Sequence, residues 1–258
     1  MAAVTTAIRI MKPRRESERF GRISASMKRG AAGMGRTLRR PGAKSTVAEL
    51  ALTSKVSRAP DFGATARRPA MKIAMVAYDG FTDVDLFLPW DLFYRVKDPT
   101  YAAYEGAWDV RICADTPRIT SYSGLAIDRH EPLEWAQGAD AVFVVSGVGS
   151  RRKIRDPAFL AALRLDPARQ MVAAIDSGAL VLAALGLLEG LSATTYPSIF
   201  AELEAMGVRT ERRPLVIHGN VATGGGCLAC QDLAAWIVGR LVGPQAATQI
   251  VDSVAKVE

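Results

Sequence analysis

The sequence predicts an α/β fold, a mostly parallel sheet with helices on both faces, carried by residues 71–258. Three observations predict it. Short, wholly apolar runs such as residues 141–145 and 171–175 alternate with segments of helical apolar spacing, the pattern of strands buried on both faces. Two of those runs stop at glycine-bearing turns, Ser146-Gly147-Val148-Gly149 and Asp176-Ser177-Gly178, and ligands of parallel sheets bind beyond such strand ends. The chain of 258 residues is 49% hydrophobic, ample for one sizeable core plus an appendage.

Taken in order, residues 72–78 read as a strand that the turn signal Asp79-Gly80 closes. Residues 84–96 have helical spacing, with Leu88, Leu92 and Val96 on one face. Pro89 falls inside that helix, where it marks the first turn or a kink. Residues 108–114 form a strand and 119–127 a short hairpin. The strand at 141–145 leads to the glycine turn. Asp156-Pro157 opens a helix running to about Leu165. Residues 171–175 form a strand, and a helix over 180–188 follows the Asp176 turn. A helix over 197–206 comes next, then short strands at 208–210, 215–218 and 221–223. Helices over 228–242 and 245–254 close the chain.

The net charge of +7 belongs to one segment. Residues 1–70 hold 16 Lys and Arg against 4 Asp and Glu, which leaves 17 against 22 for residues 71–258. The first 70 residues show no sustained apolar periodicity and read as a disordered basic leader. Three accounts compete: an upstream start codon with Met71 as the true start, an Arg-rich transit-like segment, and a basic arm that touches nucleic acid. The first is favoured, because residues 71–76 open a strand without lead-in. Otherwise nucleic-acid binding is not expected. Three cysteines make no disulfide framework, no run approaches a membrane span, and a cytoplasmic setting is expected.

The chemistry concentrates on the turn at Asp176. A strand, a tight turn with one side chain at its apex and a helix is how several hydrolase folds present a nucleophile, and the helix N-terminus favours an anion there. Here the apex residue is an aspartate. Gly147 and Gly149 suit a backbone that approaches a substrate oxygen closely; a plain strand-to-helix turn explains them equally well. Cys227-Leu228-Ala229-Cys230 is a single CxxC at a helix start. Small buried residues are the first reading, a redox pair the second and a metal site the last. The run Arg151-Arg152-Lys153 reads as a solvated helix start before an anion site. No dinucleotide or phosphate-loop fingerprint is present.

Several segments together resemble the ThiJ/PfpI superfamily. They are Asp85-Leu86-Phe87-Leu88-Pro89-Trp90-Asp91, Val144-Val145-Ser146-Gly147-Val148-Gly149, the turn with Gly178-Ala179-Leu180-Val181-Leu182-Ala183-Ala184-Leu185-Gly186-Leu187-Leu188, Ala193-Thr194-Thr195 and Thr223-Gly224-Gly225-Gly226. Within it the chain is most similar to isonitrile hydratases and to the amidotransferase-like domains of AraC-type regulators. The resemblance implies a flavodoxin-like sandwich, a homodimer, and an acid/base role for Asp85. It also implies a hydroxyl supplied by Ser177, the residue after the apex. The chain departs from the pattern in two places: Asp176 stands where the family carries a cysteine nucleophile, and Tyr196 where related domains often carry histidine.

The expected function is a hydratase- or hydrolase-like activity on a small molecule, with Asp85, Asp176 and Ser177 as catalytic residues. Gly147, Val148 and Tyr196 are expected to bind the substrate, with no metal and no cofactor. The alternative is a catalytically inactive ligand-sensing domain related to AraC-type regulators.

Overall fold

The computed structural model describes residues 70–255; the leader expectation lies outside them. Eleven strands and seven α-helices occur among the described residues. In chain order they are β1 Met71–Val76, α1 Asp83–Arg95, β2 Trp108–Ala114, β3 Arg118–Thr120, β4 Ala126–Asp128, β5 Glu131–Pro132 and β6 Ala141–Val144. Then come α2 Ser150–Lys153, α3 Pro157–Ala162, β7 Met171–Ile175, α4 Gly178–Ala184, β8 Ser192–Ala193, α5 Phe200–Ala205 and β9 Arg209–Thr210. The chain closes with β10 Leu215–His218, β11 Val221–Gly224, α6 Cys230–Leu241 and α7 Pro244–Asp252.

Seven strands form one sheet in the order β10-β11-β7-β6-β1-β2-β5. Every pairing in it is parallel except β10 with β11. This is the mostly parallel, flavodoxin-like sandwich the sequence predicts. Strands β6 and β7 are buried along their whole length, which explains why they read as unbroken apolar runs. Alternate residues of the central strands feed two cores. Ile73, Met75, Phe143 and Ala173 pack toward α1, α6 and α7 with Leu92, Leu233 and Ile250. Ala74, Val76, Val142 and Val172 pack toward α3, α4 and α5 with Phe159, Leu180 and Leu203. Among the described residues no helix is long and apolar enough to cross a membrane.

Two boundaries differ from the expectation for a physical reason. The helix expected over 180–188 stops at Ala184. Gly186 takes φ 75, its N–H donates to Ala183, and Leu187 N–H donates to Leu182 at 3.0 Å. This is a Schellman ending, which glycine favours. The helix before β7 ends at Ala162, because Leu163 leaves helical geometry and buries its side chain. The elements β5, α2 and β8 have two to four residues and carry no readable period. The hairpin over 119–127 forms as β3 and β4.

Candidate active site

Three turns meet at the carboxyl edge of β1, β6 and β7. After β1, residues 77–82 lead into α1. Gly80 N–H donates to the Thr120 carbonyl at 2.7 Å and Thr82 N–H to the Ser146 carbonyl at 3.0 Å, so the α1 start is stitched to the glycine turn after β6. That turn needs its glycines. A Cβ on Gly147, at φ 148, would lie 2.1 Å from the Gly80 carbonyl oxygen, and one on Gly149 would lie 1.9 Å from that of Asp79.

The third turn is the elbow after β7. Asp176 has φ 49, the left-handed region that costs most side chains energy and marks a nucleophile elbow when it follows a strand. The surroundings hold it there. Its N–H donates to the Gly224 carbonyl at 2.9 Å, and its own carbonyl accepts from the Thr195 hydroxyl at 2.9 Å. Gly178 lets α4 start tightly, since a Cβ there would meet the Val144 carbonyl oxygen at 2.7 Å.

Asp85 sits in the first turn of α1 and is 0% exposed. Its Oδ2 accepts a short hydrogen bond from the Ser146 hydroxyl, and its Oδ1 lies 3.8 Å from the Cys230 thiol. Pro89 falls inside α1, beyond its first turn. Proline has no N–H to give the residue four positions back, so the Asp85 carbonyl lacks its usual helical donor. Cys230 Sγ stands 3.9 Å from that oxygen.

Carboxylate oxygens of Asp85 and Asp176 and the sulfur of Cys227 all lie within 4.8 Å of one another. Burial raises the pKa of both carboxyls. For Asp176, the neighbouring Asp85 adds to burial and pushes the value up to about 6. For Asp85, hydrogen bonds from Ser146 and the two thiols oppose burial without cancelling it. Burial, a hydrogen bond to Asp85 and both negative charges push the Cys227 thiol up to about 12. Cys230 is raised as well, by burial first. Neither thiol is therefore an activated nucleophile near neutral pH.

The other expected site residues fall as follows. The Ser177 hydroxyl faces Gly147: it accepts from the Gly147 N–H at 3.0 Å and stands 3.2 Å from its carbonyl. Ser177 thus latches the elbow to the glycine turn and engages the N–H expected to face the substrate. Val148 and Tyr196 are 52% and 46% exposed. A cavity of about 540 Å³ has Thr195, Pro197, Phe200, Gly225, Cys227 and Leu228 among its walls, while Asp85, Asp176, Gly147, Val148 and Tyr196 are not among them. The basic run is structural: Arg151 clasps Glu202 at 2.6–3.1 Å, Arg152 donates to the Asp79 carbonyl and Lys153 pairs with Asp115.

Sequence reasoning left Cys227 outside the site. Its signals were position, directly after Thr223-Gly224-Gly225-Gly226, and the family resemblance, which implies small residues packed near the site there.

The family model described as DJ-1/PfpI matches residues 71–239. Isonitrile hydratase of Pseudomonas putida is 29% identical over 175 residues, covering 67% of this chain and 73% of that protein. The HTH-type transcriptional regulator CdhR of Pseudomonas aeruginosa is 32% identical over 146 residues, covering 55% of this chain and only 43% of the regulator. A ThiJ/PfpI family protein from Pseudomonas syringae superposes with a TM-score of 0.65 at 25% identity, covering 81% of this chain and 85% of that one. The parallel sheet, the left-handed elbow and a family match over residues 71–239, more than half of its length, together place this chain in the DJ-1/PfpI family.

Proposed function

We propose that this protein hydrates or hydrolyses a small molecule, using Asp85 and Asp176 as an acid/base pair around one water. The observation that carries the reading is the separation of the two carboxylates, at most 4.8 Å. A water hydrogen-bonded to both at ordinary length holds its two acceptors about 4.5–4.8 Å apart. Two carboxyls this close repel each other's charge, so the pair holds a proton up to about pH 6. The protonated member gives its proton to the substrate, and the ionised member takes one from the water. For an isonitrile, like the substrate in the Pseudomonas putida relative's name, the carbon accepts the proton and then the hydroxide. Rearrangement leaves a formamide, and the pair regains its starting charge. No covalent enzyme intermediate is needed. That suits a site whose elbow lacks a thiol and whose nearby thiols stay protonated. The 540 Å³ cavity adjoins the pair through Cys227, though neither carboxylate is among its walls. A homodimer and a cytoplasmic setting belong to the same proposal.

The test is turnover of a panel of small isonitriles and amides by the wild-type chain and by Asp85→Ala. Loss of turnover in the variant is expected; unchanged turnover sinks the mechanism. A second reading, a ligand-sensing domain without turnover, draws on the elbow aspartate and the likeness to a transcriptional regulator. Saturable ligand binding with no product would favour it.

A further inference from the structure

We propose that Asp85, Asp176 and Cys227, with Cys230 as fourth donor, form a binding site for one divalent transition-metal ion of the zinc type. The CxxC spacing alone ranks this reading last. The fold adds what spacing cannot show: both cysteines gather on the carboxylate of Asp85, which is 145 residues away from Cys230 in sequence, and Asp176 joins them from the elbow. Two carboxylate oxygens and two sulfurs make a donor set that suits zinc or cobalt far better than magnesium or calcium.

Geometry supports the assignment. A tetrahedral ion with oxygens at about 2.1 Å and sulfurs at about 2.3 Å holds its donors roughly 3.4–3.8 Å apart. Cys230 Sγ and Asp85 Oδ1 already stand 3.8 Å apart. The donor atoms of Asp85, Asp176 and Cys227, within 4.8 Å of one another, need to draw in by little more than about an ångström, which side-chain rotation supplies; Cys230 lies outside that group of three and joins it through Asp85. The Cys227–Ala229 turn sets the two cysteines one tight 3₁₀ step apart: Cys230 N–H donates to the Cys227 carbonyl. Outer contacts orient the ligands as metal sites require. Ser146 holds Asp85 Oδ2, which leaves Oδ1 toward the sulfurs, and Gly224 fixes the Asp176 backbone.

Charge balance is the second, independent argument. None of the ion pairs among the described residues includes Asp85 or Asp176. The nearest guanidinium, Arg151, is committed to Glu202. A divalent cation would neutralise a site that Arg151 influences only through space, without an ion pair. Cys227 also lines the open cavity, so an ion has a path in.

The ion and the proposed catalytic water would occupy the same carboxylates, so the ion-bound site is not the acid/base form; binding is scored without substrate, so the failure of either reading is seen separately. The full chain, reduced and stripped with a chelator, is titrated with cobalt(II). The expected result is one equivalent bound, a thiolate-to-cobalt charge-transfer band, and loss of that band on adding zinc(II). Cys227→Ser should lose most of the band, Asp176→Asn should weaken binding roughly tenfold or more, and Cys113→Ser should change nothing. Zinc(II) should also raise the melting temperature of the wild type, and that of Asp176→Asn by less at the same concentration. No saturable binding, a band undiminished in Cys227→Ser, or one removed by Cys113→Ser overturns the site. Should Cys227→Ser fail to fold, an Asp176→Asn variant with wild-type cobalt affinity overturns it equally.

Discussion

The site has two walls built on different principles. The elbow wall, residues 146–149 and 176–178, is a backbone device. Its glycines are wedged against carbonyl oxygens, its apex has a left-handed backbone, and a serine latch ties its two turns together. The facing wall, residues 226–230, is a side-chain device. Its Gly226 is extended, with open space around it, and its contribution is two thiols aimed at a buried carboxylate. The elbow wall fixes where a reacting atom can sit. The thiol wall sets the charge and the donor chemistry of the space in front of it. A protein can change chemistry by altering the apex residue and the facing wall while the elbow backbone stays the same.

The largest expected effect breaks the elbow wall. Gly147→Ala places a methyl 2.1 Å from a backbone oxygen at a φ that alanine resists, and should cost about 3 kcal/mol or more in denaturant unfolding. Gly226→Ala, on the facing wall, should cost no more than about 0.5 kcal/mol by the same measurement. Equal costs would erase the distinction between the walls.

Legibility in the sequence divides along the same line. The elbow is a local pattern, an apolar strand, one polar residue, small residues and an apolar helix, and its chemistry reads directly from residues 171–188. Asp85 became readable through a family resemblance, because nothing local marks a helix-start aspartate as buried. The thiol wall was legible only as small residues near the site, through the same resemblance, and not as a partner of Asp85. Its relation to Asp85 spans 145 residues and exists only once α1 and α6 pack on the same face of the sheet. The gap Pro89 leaves at the Asp85 carbonyl likewise shows only when Cys230 is seen beside that oxygen. The short elements α2, β5 and β8 escaped for a simpler reason, since two to four residues show no period.

A smaller effect concerns pH. The Asp176 carboxyl rises from 3.8 to about 6 on folding, so the folded chain binds more protons than the unfolded one between those values. Stability should therefore be fully present below about pH 4 as far as this group is concerned, and should fall as pH rises toward about 6. Asp176→Asn should flatten that decline and gain about 1–2 kcal/mol at pH 7 relative to wild type, read from unfolding midpoints across pH. A variant that keeps the full decline would mean that Asp176 is not the coupled group. Smaller still, Ser177→Ala removes the latch and should cost about 1 kcal/mol, again by denaturant unfolding. A cost near zero would show that the two turns hold each other without it.

The most direct test of the carboxylate-pair account is turnover of the isonitrile and amide panel by three forms measured side by side: the wild type, Asp85→Asn and Asp176→Cys. The account predicts product from the wild type and none from Asp85→Asn. Turnover by Asp176→Cys alone would contradict it, because the scaffold would then be competent only with a thiol at the elbow and the aspartate form would be the silent one.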